Sequence, residues 1–103
     1  DSLSMKKYKI IVACGSAIAA STHVALKVEE LLQKKGKEVN IVQCRVQEIP
    51  SFLNSASLVI STTIVPFDLD IPVIDGIPFL TGVGVKEVIN RIDDVLEKEA
   101  DNS

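Results

Sequence analysis

The chain has 103 residues, of which 47% are hydrophobic, and a formal net charge of -3 at pH 7. This length fits one compact domain, and the hydrophobic fraction is high enough for a folded core. The acidic balance argues against nucleic acid as a partner. No apolar stretch approaches the roughly 20 residues that a membrane span needs.

Cysteine usage and the N-terminus set further bounds. Cys14 and Cys44 are too far apart for a C-x-x-C motif and lack the Cys and His companions of a zinc site, so no metal is expected. Such cysteines in an acidic chain favour a reduced cytosolic protein. The N-terminus lacks the apolar region of a secretory leader. We expect residues 1–5 to be a cloning remnant ending in the natural start, Met5, residues 6–99 to be a single domain, and residues 100–103 to be a flexible tail.

The first half of the chain has the pattern of a strand, a helix and a second strand. Residues 7–13 predict a first strand, and the apolar run within them is typical of a buried parallel strand. Apolar residues recur at helical spacing over 20–35, and Gly36 is placed to end that helix. Residues 38–44 predict the second strand. This βαβ unit implies a right-handed crossover and parallel pairing.

The second half predicts two further strands and a final helix. In chain order, we expect a turn or single helical turn at 47–53, a strand at 58–62, a short strand at 72–74, a glycine-punctuated connector at 76–84 and a helix at 85–99. Together the elements predict a three-layer α/β domain around a four-stranded, mostly parallel sheet.

Cys14 directly follows the first predicted strand and opens a run of small residues: Gly15, Ser16, Ala17, Ile18, Ala19, Ala20, Ser21 and Thr22. Ligands of open α/β sheets bind beyond the carboxyl ends of the strands. Backbone N–H groups of such a loop, with the positive end of the next helix, form an anion site and favour a thiolate. We therefore expect a nucleophile in a phosphate-sized cradle, against the simpler alternative of a buried structural cysteine.

The loop discriminates between two kinds of phosphate chemistry. A tyrosine phosphatase loop has the form Cys-x5-Arg, in which the arginine clamps the phosphate. Here Ala20 stands at that position, and no Arg or Lys lies between Cys14 and Thr22. Neutral donors suit a carrier that holds a phosphoryl group until an acceptor arrives. A transfer module is favoured, with a small thiol phosphatase and a non-catalytic regulatory module as alternatives.

The remaining candidates have simpler interpretations. We expect His23, the only histidine, to be a partly exposed helical residue and not a phosphohistidine, and Cys44 to be structural. Asp68 and Asp70 are expected to be solvated, although a phosphatase would use one of them as a general acid. The segment 82–84 is expected to form a tight turn and not a second anion site.

Residues 9–22, Lys-Ile-Ile-Val-Ala-Cys-Gly-Ser-Ala-Ile-Ala-Ala-Ser-Thr, resemble the active-site loop of enzyme IIB components of the phosphoenolpyruvate-dependent sugar phosphotransferase system (PTS). Residues 76–84, Gly-Ile-Pro-Phe-Leu-Thr-Gly-Val-Gly, are similar to the connector of the galactitol-type branch. The likeness runs from about residue 7 to 97. It implies a flavodoxin-like fold with strand order 2-1-3-4, and a protein that needs no cofactor.

The resemblance also implies a double transfer. A phosphohistidine on a IIA partner would donate to Cys14, and phospho-Cys14 would donate to a sugar or sugar alcohol, such as galactitol, held by a membrane IIC partner. Residues 15–22 would bind the phosphoryl group. Ala17 and Ala20 stand where the family often has glycine and threonine. Alanine at 17 cannot adopt a positive φ at the low energetic cost that glycine has, and alanine at 20 lacks a hydroxyl donor. The expected protein is a cytoplasmic monomer acting transiently at the inner membrane face.

Overall fold

The strands form one parallel sheet whose spatial order differs from their order in the chain. A computed structural model describes the backbone of residues 7–15, 18–66 and 68–102, and the side chains of residues 8–15, 22–66 and 68–98. The elements are β1 (Lys7–Cys14), α1 (Ile18–Lys34), β2 (Glu38–Arg45), a 3-10 turn (Val46–Glu48), α2 (Ile49–Phe52), β3 (Ala56–Ser61), β4 (Val73–Asp75), α3 (Ile77–Thr81) and α4 (Val85–Asn102).

The sheet order is β2-β1-β3-β4, and all three pairings are parallel. Both the predicted α/β class and the strand order that the resemblance implied are therefore confirmed. None of the helices that the structure describes is both long and apolar enough to cross a membrane.

The two faces of β1 bury different side chains, because successive residues of a strand point to opposite sides. Ile10 and Val12 belong to the larger core cluster, which includes residues of α1 and α4. Ile11 and Ala13 belong to the smaller cluster, with residues of the 3-10 turn and α2. The sheet thus lies between two helical layers, which explains why residues 10–14 of β1 are apolar without alternation.

Helix α1 ends where the sequence predicts and begins earlier. Gly36 has φ of 82°, its N–H donates to the Gln33 carbonyl at 3.0 Å, and the Lys37 N–H donates to the Leu32 carbonyl at 3.0 Å. This is a Schellman cap, in which glycine takes the left-handed conformation at low cost. The predicted start at Ala20 is wrong, because α1 begins at Ile18. Alanine has the highest helix propensity, so residues 18–20 belong to the helix and not to the loop before it.

Two parts of the second half also differ from prediction. The connector 76–84 contains helix α3, which has proline in its first turn and ends at Gly82, whose φ is 81°. Pro near the start and Gly just past the end are the usual signals of a short helix. Helix α4 continues to Asn102 and is therefore longer than the predicted helix at 85–99.

Candidate functional site

Cys14 is the last residue of β1, one of the two central strands of the sheet. Its side chain is only 2% exposed, and its thiol is free. Gly15 follows and is exposed, and α1 begins at Ile18. The thiol therefore lies at the carboxyl edge of the sheet, beside a helix N-terminus whose first N–H groups have no partner within the helix.

This edge is also the point at which the strand order reverses. From β1 the chain leads to β2 on one side, whereas β3 pairs with β1 on the other. The Thr62 N–H donates to the Ala13 carbonyl at 3.2 Å, which ties the segment after β3 to the end of β1. Open α/β sheets bind ligands at such a crevice. Cys14 thus lies at the end of the first strand, where the sequence predicted it.

The structure describes the other predicted loop residues to different extents. Ser16 and Ala17 lie outside the described residues. Ile18, Ala19, Ala20 and Ser21 form the start of α1, and their side chains lie outside the described set. Thr22 is exposed in α1, and its hydroxyl donates to Gln43 Oε1 at 2.9 Å. The loop between β1 and α1 is thus shorter than the run 15–22.

Gly15 leaves open space next to Cys14. A Cβ built on Gly15 would meet no atom within 4 Å beyond its chain neighbours, and Gly15 does not have a positive φ. Neither crowding nor backbone conformation therefore demands glycine here. The absent side chain keeps the backbone at the strand end open to a ligand.

Cys44 differs from Cys14 in both position and surroundings. It packs in the smaller core cluster, on the face of the sheet that carries α2. Burial, with smaller contributions from the nearby Glu48 carboxylate and Cys14, raises the pKa of the Cys44 thiol. Its surroundings therefore favour the thiol, the form that suits a structural cysteine and not a nucleophile.

The other candidates lie where the simpler interpretations place them. His23 is exposed on α1, and Asp68 and Asp70 are exposed in the segment between β3 and β4. Gly82 and Gly84 both have positive φ, as a tight turn requires. Among the described side chains, those of residues 8–15, 22–66 and 68–98, no group of three or more His, Cys, Asp or Glu could hold a metal ion.

A basic residue outside the predicted site, Arg45, lies beside Cys14. The β1–β2 ladder pairs the Cα atoms of Cys14 and Arg45. Arg45 lies outside the run from Cys14 to Thr22, because it belongs to another strand. The signal was present in the sequence, since Arg45 directly follows the predicted second strand and parallel strands end at one edge.

Comparison with known proteins shows which proteins this chain is similar to. Residues 9–98 match the family described as the PTS system lactose/cellobiose-specific IIB subunit. The chain is 41% identical over 92 residues to the PTS system galactitol-specific EIIB component of Escherichia coli O157:H7, covering 88% of this chain and 98% of that protein. It is 40% identical over 92 residues, with the same coverage, to the galactitol-specific EIIB component of Escherichia coli strain K12.

A solved structure supports the fold independently. The solution structure of the enzyme IIB subunit of a PTS system from Escherichia coli K12 aligns with a TM-score of 0.59 and 20% sequence identity. The alignment covers 94% of this chain and 99% of that one. At this level of identity the likeness concerns the arrangement of helices and strands.

Proposed function

Because the chain belongs to the lactose/cellobiose-specific IIB subunit family of the phosphotransferase system, we propose that Cys14 is the residue on which it carries the phosphoryl group. A IIB component is a phosphotransferase, and its partners are in general a IIA and a IIC component. One observation carries the proposal for Cys14: a free thiol ends a central parallel strand, directly before open Gly15 and the N-terminus of α1.

The first transfer forms a phosphocysteine. The Cys14 sulfur, as the thiolate, attacks the phosphorus of a phosphohistidine on the IIA partner, so that the S–P bond forms as the N–P bond breaks. The electron pair of the N–P bond returns to the imidazole nitrogen. Little further covalent chemistry is needed, and the protein contributes mainly position and charge stabilisation.

The second transfer restores the thiolate. A hydroxyl oxygen of the substrate held by the IIC partner attacks the same phosphorus, the O–P bond forms and the S–P bond breaks. The electron pair stays on the sulfur, and the hydroxyl proton passes to a base on the acceptor side. The galactitol-specific relatives favour galactitol or a similar sugar alcohol as this acceptor.

We assign the cradle to residues 15–21, which comprise the short loop and the first turn of α1. Unpaired N–H groups at the start of a helix are suited to phosphate oxygens. Thr22 receives a supporting role, since its hydroxyl donates to Gln43 Oε1 and thereby holds α1 against β2. This chain has Ala17 and Ala20 where the family often has a flexible glycine and a threonine hydroxyl. We therefore expect its loop to hold the phosphate less tightly than the loops of relatives that have both.

The partner surface is proposed at the same edge of the sheet. A cleft lined by residues 61–65 and 73–75 opens beside the end of β3, and Ile64 is 86% exposed there. We place the IIA contact around Cys14, the start of α1 and the segment 64–70. A carrier that meets two partners in turn is proposed to be a monomer in the cytoplasm, which reaches the inner membrane face when it meets IIC.

The test follows the phosphoryl group into the acceptor. The full chain is phosphorylated with phosphoenolpyruvate, the general relay proteins and a galactitol-system IIA component, then purified and mixed with vesicles carrying the matching IIC component. We expect galactitol to receive the phosphoryl group mole for mole, with mannitol as the control acceptor. Release of the same amount as inorganic phosphate without vesicles, or turnover of an aryl phosphate by the isolated protein, would contradict the carrier and support a phosphatase.

A further inference from the structure

Arg45 and Cys14 end neighbouring strands at the same level of the sheet. Their Cα atoms are register partners in the parallel β1–β2 pairing. Adjacent strands lie roughly 4.8 Å apart. Of the four strands, β2 alone ends in a basic residue, since the others end in Cys14, Ser61 and Asp75.

The two residues also share a face of the sheet. Of the β1–β2 partners, the pair Tyr8 and Val39 lies in the larger core cluster, whereas Ala13 and Cys44 lie in the cluster on the opposite face. Since side chains alternate along a strand, the next pair, Cys14 and Arg45, lies on the face covered by α1.

Helix α1 confirms this assignment of the face. Gln43 lies two residues before Arg45 on β2, so the two side chains lie on the same face of the sheet. The Gln43 Oε1 accepts a hydrogen bond of 2.9 Å from Thr22 of α1. The start of α1, which we assign to the phosphoryl cradle, therefore lies over the part of β2 that leads to Arg45. A phosphoryl group on Cys14 would stand between this helix end and Arg45.

The guanidinium of Arg45 is available for such a ligand. The Arg45 side chain is exposed, and it makes no ion pair with any side chain that the structure describes. The nearest acidic residue along the chain, Glu48, is bonded through Oε1 to the backbone N–H of Arg45 at 2.9 Å. By contrast, Lys27, Lys34 and Lys37 all pair with carboxylates.

We propose that Arg45 binds the phosphoryl group carried by Cys14, an inference that rests on the proposed function of Cys14. Guanidinium presents a planar fork of donors that fits two phosphate oxygens at once. Arg45 makes and breaks no covalent bond. It offsets the negative charge that opposes the approach of each nucleophile, and it does so from a neighbouring strand instead of from the cysteine loop.

The test compares Arg45→Gln with Arg91→Gln, which removes the same charge from an exposed position on α4. Both full-length variants are phosphorylated by the relay proteins and the IIA component, and phosphocysteine is titrated by 31P NMR. We expect Arg45→Gln to load about tenfold more slowly, since a charge-assisted hydrogen bond is lost. Its phosphorus titration midpoint should rise by about one pH unit, because a nearby cation favours the dianion.

Arg45→Lys keeps the charge without the fork, so its midpoint should stay near that of the wild type while its loading rate falls partway. Equal loading rates and midpoints for Arg45→Gln and Arg91→Gln would overturn the role of Arg45 and leave the function of Cys14 standing. Failure of the wild type to carry phosphate on Cys14 would instead overturn the proposed function. Thermal unfolding of each variant checks that the exposed substitutions leave the fold intact.

Discussion

Glycine at position 15 has neither of the usual structural reasons for its presence. Its φ is not positive, and a Cβ would meet nothing within 4 Å. Gly82 offers the contrast, since it has the same open surroundings and a φ of 81°. We attribute Gly15 to the site, where a side chain would stand in the space that the phosphoryl group needs.

Gly15→Ala should therefore separate function from stability. We expect phosphoryl loading of Cys14 to fall about tenfold, because the added methyl displaces the phosphoryl group from its donors. The free energy of unfolding should change by less than about 1 kcal/mol. The matched control, Gly82→Ala, should lose about 1 kcal/mol of stability through its left-handed backbone and load normally. Loading rates and urea unfolding measure the two effects, and normal loading by Gly15→Ala would contradict the assignment.

Single residues of the site were predictable to different degrees. The position of Cys14 at the end of a strand was predicted, because one residue at a strand exit can be recognised along the chain. Arg45 was not predicted as part of the site, although it directly follows the second predicted strand, because the register that pairs it with Cys14 is visible only in the structure. Cys44 lies between these cases: its face follows from alternation, whereas the rise in its pKa depends on burial and on Glu48.

Element boundaries were predicted well where a single residue adopts a particular backbone conformation. They were predicted poorly where the local composition suits a loop and a helix equally. Gly36 fixes the end of α1, because the cap requires a left-handed residue. The start of α1 was set too late, since small residues serve a loop and a helix equally well. Helix α3 was missed within 76–84, where a short apolar segment between glycines has no measurable period.

The side chain of Lys37 joins the connection between α1 and β2 to the last helix, α4. Lys37 Nζ lies 2.7 Å from Asp93 Oδ1 and 2.7 Å from Glu97 Oε1 of α4. Hydrogen bonds to Asp93 and Glu97, the largest contributions, raise the pKa of Lys37 above 10.5. A lysine whose pKa is raised on folding stabilises the folded state below its unfolded pKa, and this contribution is lost as pH rises through the folded pKa.

Lys37→Met should thus destabilise the protein in a pH-dependent way. At pH 7 we expect a loss of about 1 kcal/mol in the free energy of unfolding, as for a good partly exposed ion pair. The difference from the wild type should shrink above pH 10.5, the ordinary lysine value. Urea unfolding at pH 7 and at a pH above 10.5 measures this difference in the free energy of unfolding. Lys35→Met, an exposed lysine beside the same turn, is the control, and a difference independent of pH would refute the ion-pair explanation.

At the scale of the molecule, the packing regions and the proposed site are separate. Large aliphatic side chains fill both faces of the sheet, with Ile10 and Ile92 fully buried on one face and Ile49 on the other. The carboxyl edge holds Cys14, Gly15 and Arg45 instead. Apolar periodicity predicts the layers and a mostly parallel sheet. The strand order came from family resemblance, because pairing between distant segments leaves little trace in local periodicity.

The central claim is that one phosphoryl group travels on Cys14. The most direct test is intact-mass analysis with peptide mapping after incubation of the full chain with phosphoenolpyruvate, the general relay proteins and a IIA component. We predict a single phosphoryl group on Cys14, its loss in Cys14→Ser, and normal loading in Cys44→Ala and His23→Ala. A phosphoryl group on any other residue, or undiminished loading of Cys14→Ser, would contradict the account.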